Sequence, residues 1–126
     1  MKESSMVKIT PLQQIGSDDR GGTFVFDNER TGQLIVAQRK AGSISGGNYH
    51  TGKHPYKVPE ILVIMQGNCT LRWKDIHSEN HGTETVIGPA QIVIPPNIWH
   101  ELKGETDFVM LEMNGLDAGQ GDTFNL

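Results

Sequence analysis

At 126 residues and 36% hydrophobic content, the chain has the size of one domain and can bury a core without covalent staples. A single cysteine, Cys69, excludes an intrachain disulfide and a cysteine-rich zinc module, and it suits a reducing compartment. The formal charge of −4 with scattered Lys and Arg offers no basic stripe for nucleic acid. No run approaches the roughly 20 apolar residues of a membrane span, and MKESSMVKITPLQQ holds no apolar stretch of signal-peptide length. These features predict a soluble cytoplasmic protein that handles a small molecule.

Residues 1–22 are polar and turn-rich, and read as an N-terminal arm or a short edge strand. Strand-like segments follow at Thr23–Phe26, Leu34–Lys40 and Ile44–His50. The strongest is Glu60–Gln66, where Ile61 to Met65 form an unbroken apolar run, the pattern of a strand covered on both faces. Gly67-Asn68 marks a turn. In CTLRWK, Cys69, Leu71 and Trp73 share one face and Thr70, Arg72 and Lys74 the other. Cys69 on that apolar face reads as a small buried hydrophobe.

DIHSENHGTE is a polar loop, and its His77 and His81 are assigned no role. Thr85–Ile87 and Gln91–Ile94 are strand candidates, the second stopped by Pro95-Pro96. Trp99–Lys103 and Phe108–Met113 follow across the turn-like GETD. The last residues, 115–126, are glycine-rich and expected to be loose. No segment sustains a 3.6-residue period. The expectation is an all-β sandwich or barrel over residues 23–114.

Glu60 opens the most apolar strand, and buried carboxylates are rare unless paired or liganding. If it faces the interior, so do Leu62 and Ile64, while Ile61, Val63 and Met65 face outward and want cover from a second sheet or a second subunit. That predicts a homodimer. His50 and His54 lie just ahead of Glu60, and His100 stands just inside a strand that re-enters after a proline turn.

Two stretches together resemble the cupin superfamily. In its first motif a glutamate follows two histidines and precedes a glycine by seven residues, the spacing of Glu60 and Gly67. Its second motif runs Gly, strand, Pro-x-Gly-x-x-His. Here that is Gly88, then Pro95-Pro96-Asn97-Ile98-Trp99-His100, with Asn97 in place of glycine. Asn tolerates positive φ better than most residues. The first motif departs from the pattern, because strict spacing puts its histidines at His54 and Tyr56. An insertion in the loop would let His50 and His54 supply both. The ending IVIPPNIWHEL…FVMLEM and the segment GGNYH are similar to the small cupins that act on nucleotide sugars, the keto-sugar ketoisomerases, 3,5-epimerases and cupin domains of capsular-polysaccharide proteins.

The resemblance implies a single-domain jelly-roll β-barrel and an isomerase or epimerase of a nucleotide-linked keto sugar. Its base would be His54 or His50, its acid Tyr49 or Tyr56, and His100 would orient or donate. Arg72, with Arg39 and Lys40 as alternatives, would meet a pyrophosphate, and Trp99 would stack on a ring. A second reading is a metal-binding cupin in which His50, His54, Glu60 and His100 hold one divalent Zn, Fe, Mn or Ni for hydrolytic or oxygenase chemistry. A third is a module that binds a small sugar ligand without turnover. Against all three stands a plain alternative: His100 satisfied in the core by a carbonyl, Glu60 at a wet edge, and Arg72 on a solvated face.

Overall fold

A computed structural model describes residues 5–126. Eleven strands run in order: β1 (Lys8–Pro11), β2 (Gln13–Asp18), β3 (Gly21–Val25), β4 (Ile35–Arg39), β5 (Ile44–Asn48), β6 (Glu60–Gln66), β7 (Asn68–Asp75), β8 (His81–Ile87), β9 (Ala90–Ile94), β10 (Ile98–Gly104) and β11 (Phe108–Glu112). A short 3₁₀ turn, Leu116–Gly119, follows. The described residues include no α-helix, and none long and apolar enough to cross a membrane.

Two antiparallel sheets face each other. One has the order β1-β9-β6-β11-β4 and the other β5-β10-β7-β8. This is the jelly-roll arrangement expected from the motifs. Alternation decides what lies between the sheets. Leu62, Ile64, Ile92, Ile94, Phe108 and Met110 point inward from the first sheet, and they meet Cys69, Leu71, Trp73, Val86, Ile98 and Leu102 from the second. Cys69 is fully buried, and burial, with a smaller push from Glu105, raises its thiol to about 11.

The turn glycine Gly67 sits at φ +89°, and a Cβ there would lie 2.1 Å from the Asp107 carbonyl oxygen. Only glycine lets β6 turn into β7 against that backbone. Asn97 adopts φ +64°, the left-handed conformation expected at the glycine position of the second motif.

Part of the polar N-terminal stretch is structural. Val7 is buried in the core, and β1 forms an edge strand against β9. Among the described residues the β2–β3 hairpin pairs only with itself, and it is exposed along its whole length, including Ile15, Phe24 and Val25. On the outer face of β6, Val63 is fully buried and Met65 is exposed. The chain's own 26–30 segment lies beside Ile61, enclosing a recess with Tyr56 and Met113.

The tail departs from expectation. It is fixed to the barrel: Asp122 is fully buried, Ala118 is 1% exposed, and Phe124 pairs backbone to backbone with Tyr49. Sequence composition registers its glycines, but the hydrogen bonds of Asp122 decide its order.

Candidate functional site

Between the edges of β4 and β5 the barrel holds a cavity of about 260 Å³. Glu60 enters it from the first residue of β6, and His100 from β10, where Trp73 is its register partner. His50 follows the end of β5, directly before the loop that leads to Glu60. His50, Glu60 and His100 are each less than 10% exposed. His50 Nε2 lies 3.4 Å and His100 Nε2 3.2 Å from the same oxygen, Glu60 Oε2.

The far nitrogens fix both rings. His50 Nδ1 is 2.7 Å from the Asp122 carbonyl, and His100 Nδ1 is 3.0 Å from the Ile98 carbonyl. A carbonyl only accepts, so each Nδ1 carries its hydrogen and each Nε2 is turned to the carboxylate. Glu60 Oε2 has no aligned hydrogen-bond donor despite being buried. An acceptor oxygen among two imidazole nitrogens calls for a shared cation, either a proton or a metal ion.

The other carboxylate oxygen is accounted for. Lys57 Nζ lies 3.0 Å from Glu60 Oε1 and 3.3 Å from Asn114 Oδ1, with Lys57 itself buried. Burial opposes ionisation of Glu60. Its contacts with His100 and His50, and the charges of His100 and Lys57, outweigh burial and hold it well below the ordinary carboxylate range. Burial likewise opposes charge on His100, but contact with Glu60 wins and raises it. The pair therefore favours a proton on His100 beside an ionised Glu60.

Of the residues anticipated from sequence, the fold brings together His50, Glu60 and His100. His54 is not among the cavity-lining side chains. Its Nδ1 accepts the Tyr56 amide at 3.0 Å, a contact internal to the loop. Tyr56 turns away as well, and its hydroxyl accepts the Thr31 amide beneath the Arg30 guanidinium. Tyr49 stacks on Phe124, outside the cavity. The strand period explains Arg72 and Trp99: with Leu71, Trp73 and His100 inward, their neighbours must face out. There Arg72 Nη1 pairs with Glu101 Oε1 at 3.0 Å and lies over the Trp99 ring. Arg39, the alternative cation, does line the cavity, with its Nε donating to Ser45 Oγ at 2.8 Å. Lys40 does not line it.

Three residues went unnoticed in the sequence. The first is Lys57, whose place three residues before Glu60 is the sequence signal of a local pair. Glu112, inside the predicted Phe108–Met113 strand, and Asn114, just past it, also line the cavity.

A divalent metal is the group that the second reading of the sequence expects here. His50, Glu60 and His100 fit one: their ligand atoms lie within 4.8 Å of one another, and both imidazoles are anchored from behind as metal-binding histidines are. His54 is not placed to join them, so three protein ligands would hold such an ion.

No protein-family model and no curated protein matches the chain. Solved structures do. A mutant 3,4-ketoisomerase from Thermoanaerobacterium thermosaccharolyticum, in complex with TDP-4-keto-6-deoxyglucose, is similar at a TM-score of 0.73 and 15% identity, over 98% of this chain and 90% of that one. The dTDP-4-dehydrorhamnose 3,5-epimerase from Sulfolobus tokodaii gives 0.74 and 12%, over 100% and 80%. The capsular polysaccharide assembling protein CapF from Staphylococcus aureus gives 0.61 and 27%, over 92% of this chain and 34% of that one, so the chain spans about a third of CapF. Two facing sheets, the glycine and asparagine turns and these likenesses agree: the chain has the cupin jelly-roll fold, shared with ketoisomerases and an epimerase of nucleotide-linked sugars.

Proposed function

We propose that the protein isomerises or epimerises a keto sugar carried on a nucleoside diphosphate, by proton transfer in the His50–Glu60–His100 cavity. The observation that carries the reading is the pair of buried imidazoles facing one carboxylate oxygen in the cavity. A hydrogen next to a ketone is acidic enough for a histidine base, and low dielectric strengthens the electrostatic help around it. His50 takes that hydrogen, and His100, which shares a proton with Glu60, returns one. At about 260 Å³ the cavity is below the ~300–1,000 Å³ typical of whole-ligand sites, so it suits a sugar ring with the nucleotide outside. Arg39 at the mouth meets the phosphates with its planar fork. The similar ketoisomerase, bound to TDP-4-keto-6-deoxyglucose, supports that choice of probe.

The test is incubation with TDP-4-keto-6-deoxyglucose, followed by proton NMR. Conversion to an isomer by the wild type, with His50→Asn and Glu60→Gln both inactive, is the expected result. A wild type that neither converts the sugar nor exchanges its acidic hydrogen overturns the reading.

The unpartnered Glu60 Oε2 favours a second reading, in which a divalent metal takes the shared position and acts as a Lewis acid. Under it, metal analysis of untagged protein finds near one ion per chain, and Glu60→Gln or His100→Ala loses it. Turnover that survives prolonged chelation separates the first reading from the second.

A further inference from the structure

The isomerase reading leaves one proton without a carrier. Moving a ketone along a sugar ring shifts a hydrogen between two carbons and also a proton between their two oxygens. The tyrosines that would serve the oxygens lie outside the cavity. The charged or titratable side chains around the cavity are Arg39, His50, Lys57, Glu60, His100 and Glu112; of the two hydroxyls there, Thr123 donates to the Gly119 carbonyl and Ser45 receives Arg39. His50, Glu60 and His100 act on the carbons, Lys57 is tied to Glu60 and Asn114, and Arg39 is tied to Ser45.

Glu112 remains. It lies on β11, in register with Leu62 of β6 and with Ile35 of β4, on the inward face that Phe108 and Met110 define. Among the described residues no hydrogen bond holds its carboxyl group. The cavity thus contains two carboxyl groups on adjacent strands, one locked between two imidazoles and an ammonium, the other unbound.

We propose that Glu112 carries the hydroxyl proton, handing it to one oxygen of the keto sugar and taking it back from the neighbouring one; this rests on the isomerase reading above. Burial and then the negative charge of Glu60 raise its pKa, against the opposing Lys57, Arg39 and His100, which makes its carboxyl hold a proton more tightly than an ordinary surface carboxylate does.

The step balances. An imidazole removes the hydrogen beside the ketone as a proton, and its bonding pair becomes a carbon–carbon double bond. The carbonyl pair moves onto oxygen, which takes the Glu112 proton, giving an enediol. The second hydroxyl then gives its proton to the Glu112 carboxylate, and its O–H pair becomes the new carbonyl. The double-bond pair takes a proton from the His100 imidazolium at the former ketone carbon. Nothing is oxidised overall: Glu112 returns to its starting form, and the proton gained by His50 passes to His100 across Glu60 Oε2, which both Nε2 atoms face.

The experiment runs TDP-4-keto-6-deoxyglucose in D₂O with wild type, Glu112→Gln and Glu112→Asp, reading product and carbon-bound deuterium by NMR and folding by thermal melt. The expected result is a folded Glu112→Gln variant that loses roughly 100-fold or more in product formation. It still exchanges the hydrogen beside the ketone, and Glu112→Asp recovers part of the turnover. Wild-type turnover in Glu112→Gln overturns the inference while the isomerase reading stands, as does equal loss of exchange and turnover. A wild type with neither exchange nor turnover overturns both. If Glu112→Gln does not fold, Glu112→Asp decides: a shortened carboxyl that slows product while exchange continues supports the shuttle, and one that leaves product formation unchanged overturns it.

Discussion

Asp122 grips His50 and the loop behind it with the same residue. Its carbonyl receives His50 Nδ1 at 2.7 Å, while its carboxylate accepts the amides of Thr51, Gly52 and Lys53 and the Thr51 hydroxyl. The end of the chain therefore sets the tautomer and the place of a cavity histidine. Burial opposes ionisation of Asp122, yet the hydrogen bonds prevail and hold its carboxyl well below the ordinary 3.8.

Asp122→Ala leaves three amides without their acceptor and is expected to cost about 3 kcal/mol. The Asp122→Asn variant isolates the charge. A group whose folded pKa is depressed stabilises above its unfolded value and loses that contribution as pH falls toward the folded one. Wild type should therefore lose stability faster than Asp122→Asn as pH falls below 3.8. Denaturant melts across an acid series check this, and parallel curves would refute the carboxylate's role.

Arg30 offers a second structural lever. Its guanidinium donates to the carbonyls of Tyr56 at 2.8 Å, Met113 at 3.0 Å and Pro59, and it lies over the Tyr56 ring. Those carbonyls flank Lys57, Glu60 and Asn114, so one side chain ties the outer loop to both segments that carry the lysine cluster. Arg30→Met keeps the stem but strips the fork. We expect a loss of about 2 kcal/mol, seen as a melting temperature lower by roughly 8 °C. Arg30→Lys should recover only a minor part, because one ammonium cannot copy the planar fork.

The strands that build the barrel were legible because alternation in CTLRWK and the apolar run after Glu60 are properties of contiguous residues. The turn positions Gly67 and Asn97 were legible for the same reason: each local conformation demands its residue type. The choice between His50 and His54 was not, because it depends on the path of a loop whose anchor, Asp122, lies far along the chain. Arg72 was legible by the same period: its alternation with Leu71 and Trp73 puts it on the solvated face, the plain alternative read from the sequence, and there it stands exposed. Glu112 becomes visible only once β11 is paired with β6, which brings a second carboxyl beside Glu60's cavity.

The two arginines make a direct comparison. Arg39 lines the mouth of the cavity, whereas Arg72 is paired with Glu101 on the outer sheet face. Calorimetric titration with TDP should show Arg39→Ala binding about tenfold more weakly, the equivalent of roughly 1.4 kcal/mol. Arg72→Ala should bind as wild type does, since an exposed pair contributes little. Equal losses in both variants would place the phosphates elsewhere.

Glu112 can also be tested without any substrate, through its effect on stability. Burial and the charge of Glu60 raise its carboxyl above the ordinary 4.5. A carboxyl raised in the folded state binds its proton more tightly there than in the unfolded chain. As pH climbs through 4.5, the unfolded chain sheds that proton first, and the folded state loses stability until its own carboxyl ionises. Glu112→Gln carries no such group. Its stability relative to wild type should therefore improve as pH rises above 4.5 and level off once the folded carboxyl has ionised. The other titrating groups that face the cavity, His50, Lys57, Glu60 and His100, are common to both proteins, so the difference between the two curves isolates Glu112 to first order. A difference that stays flat from acid to neutral pH would mean that Glu112 meets water as an ordinary surface carboxylate, and the tightened hold on its proton would then have no support.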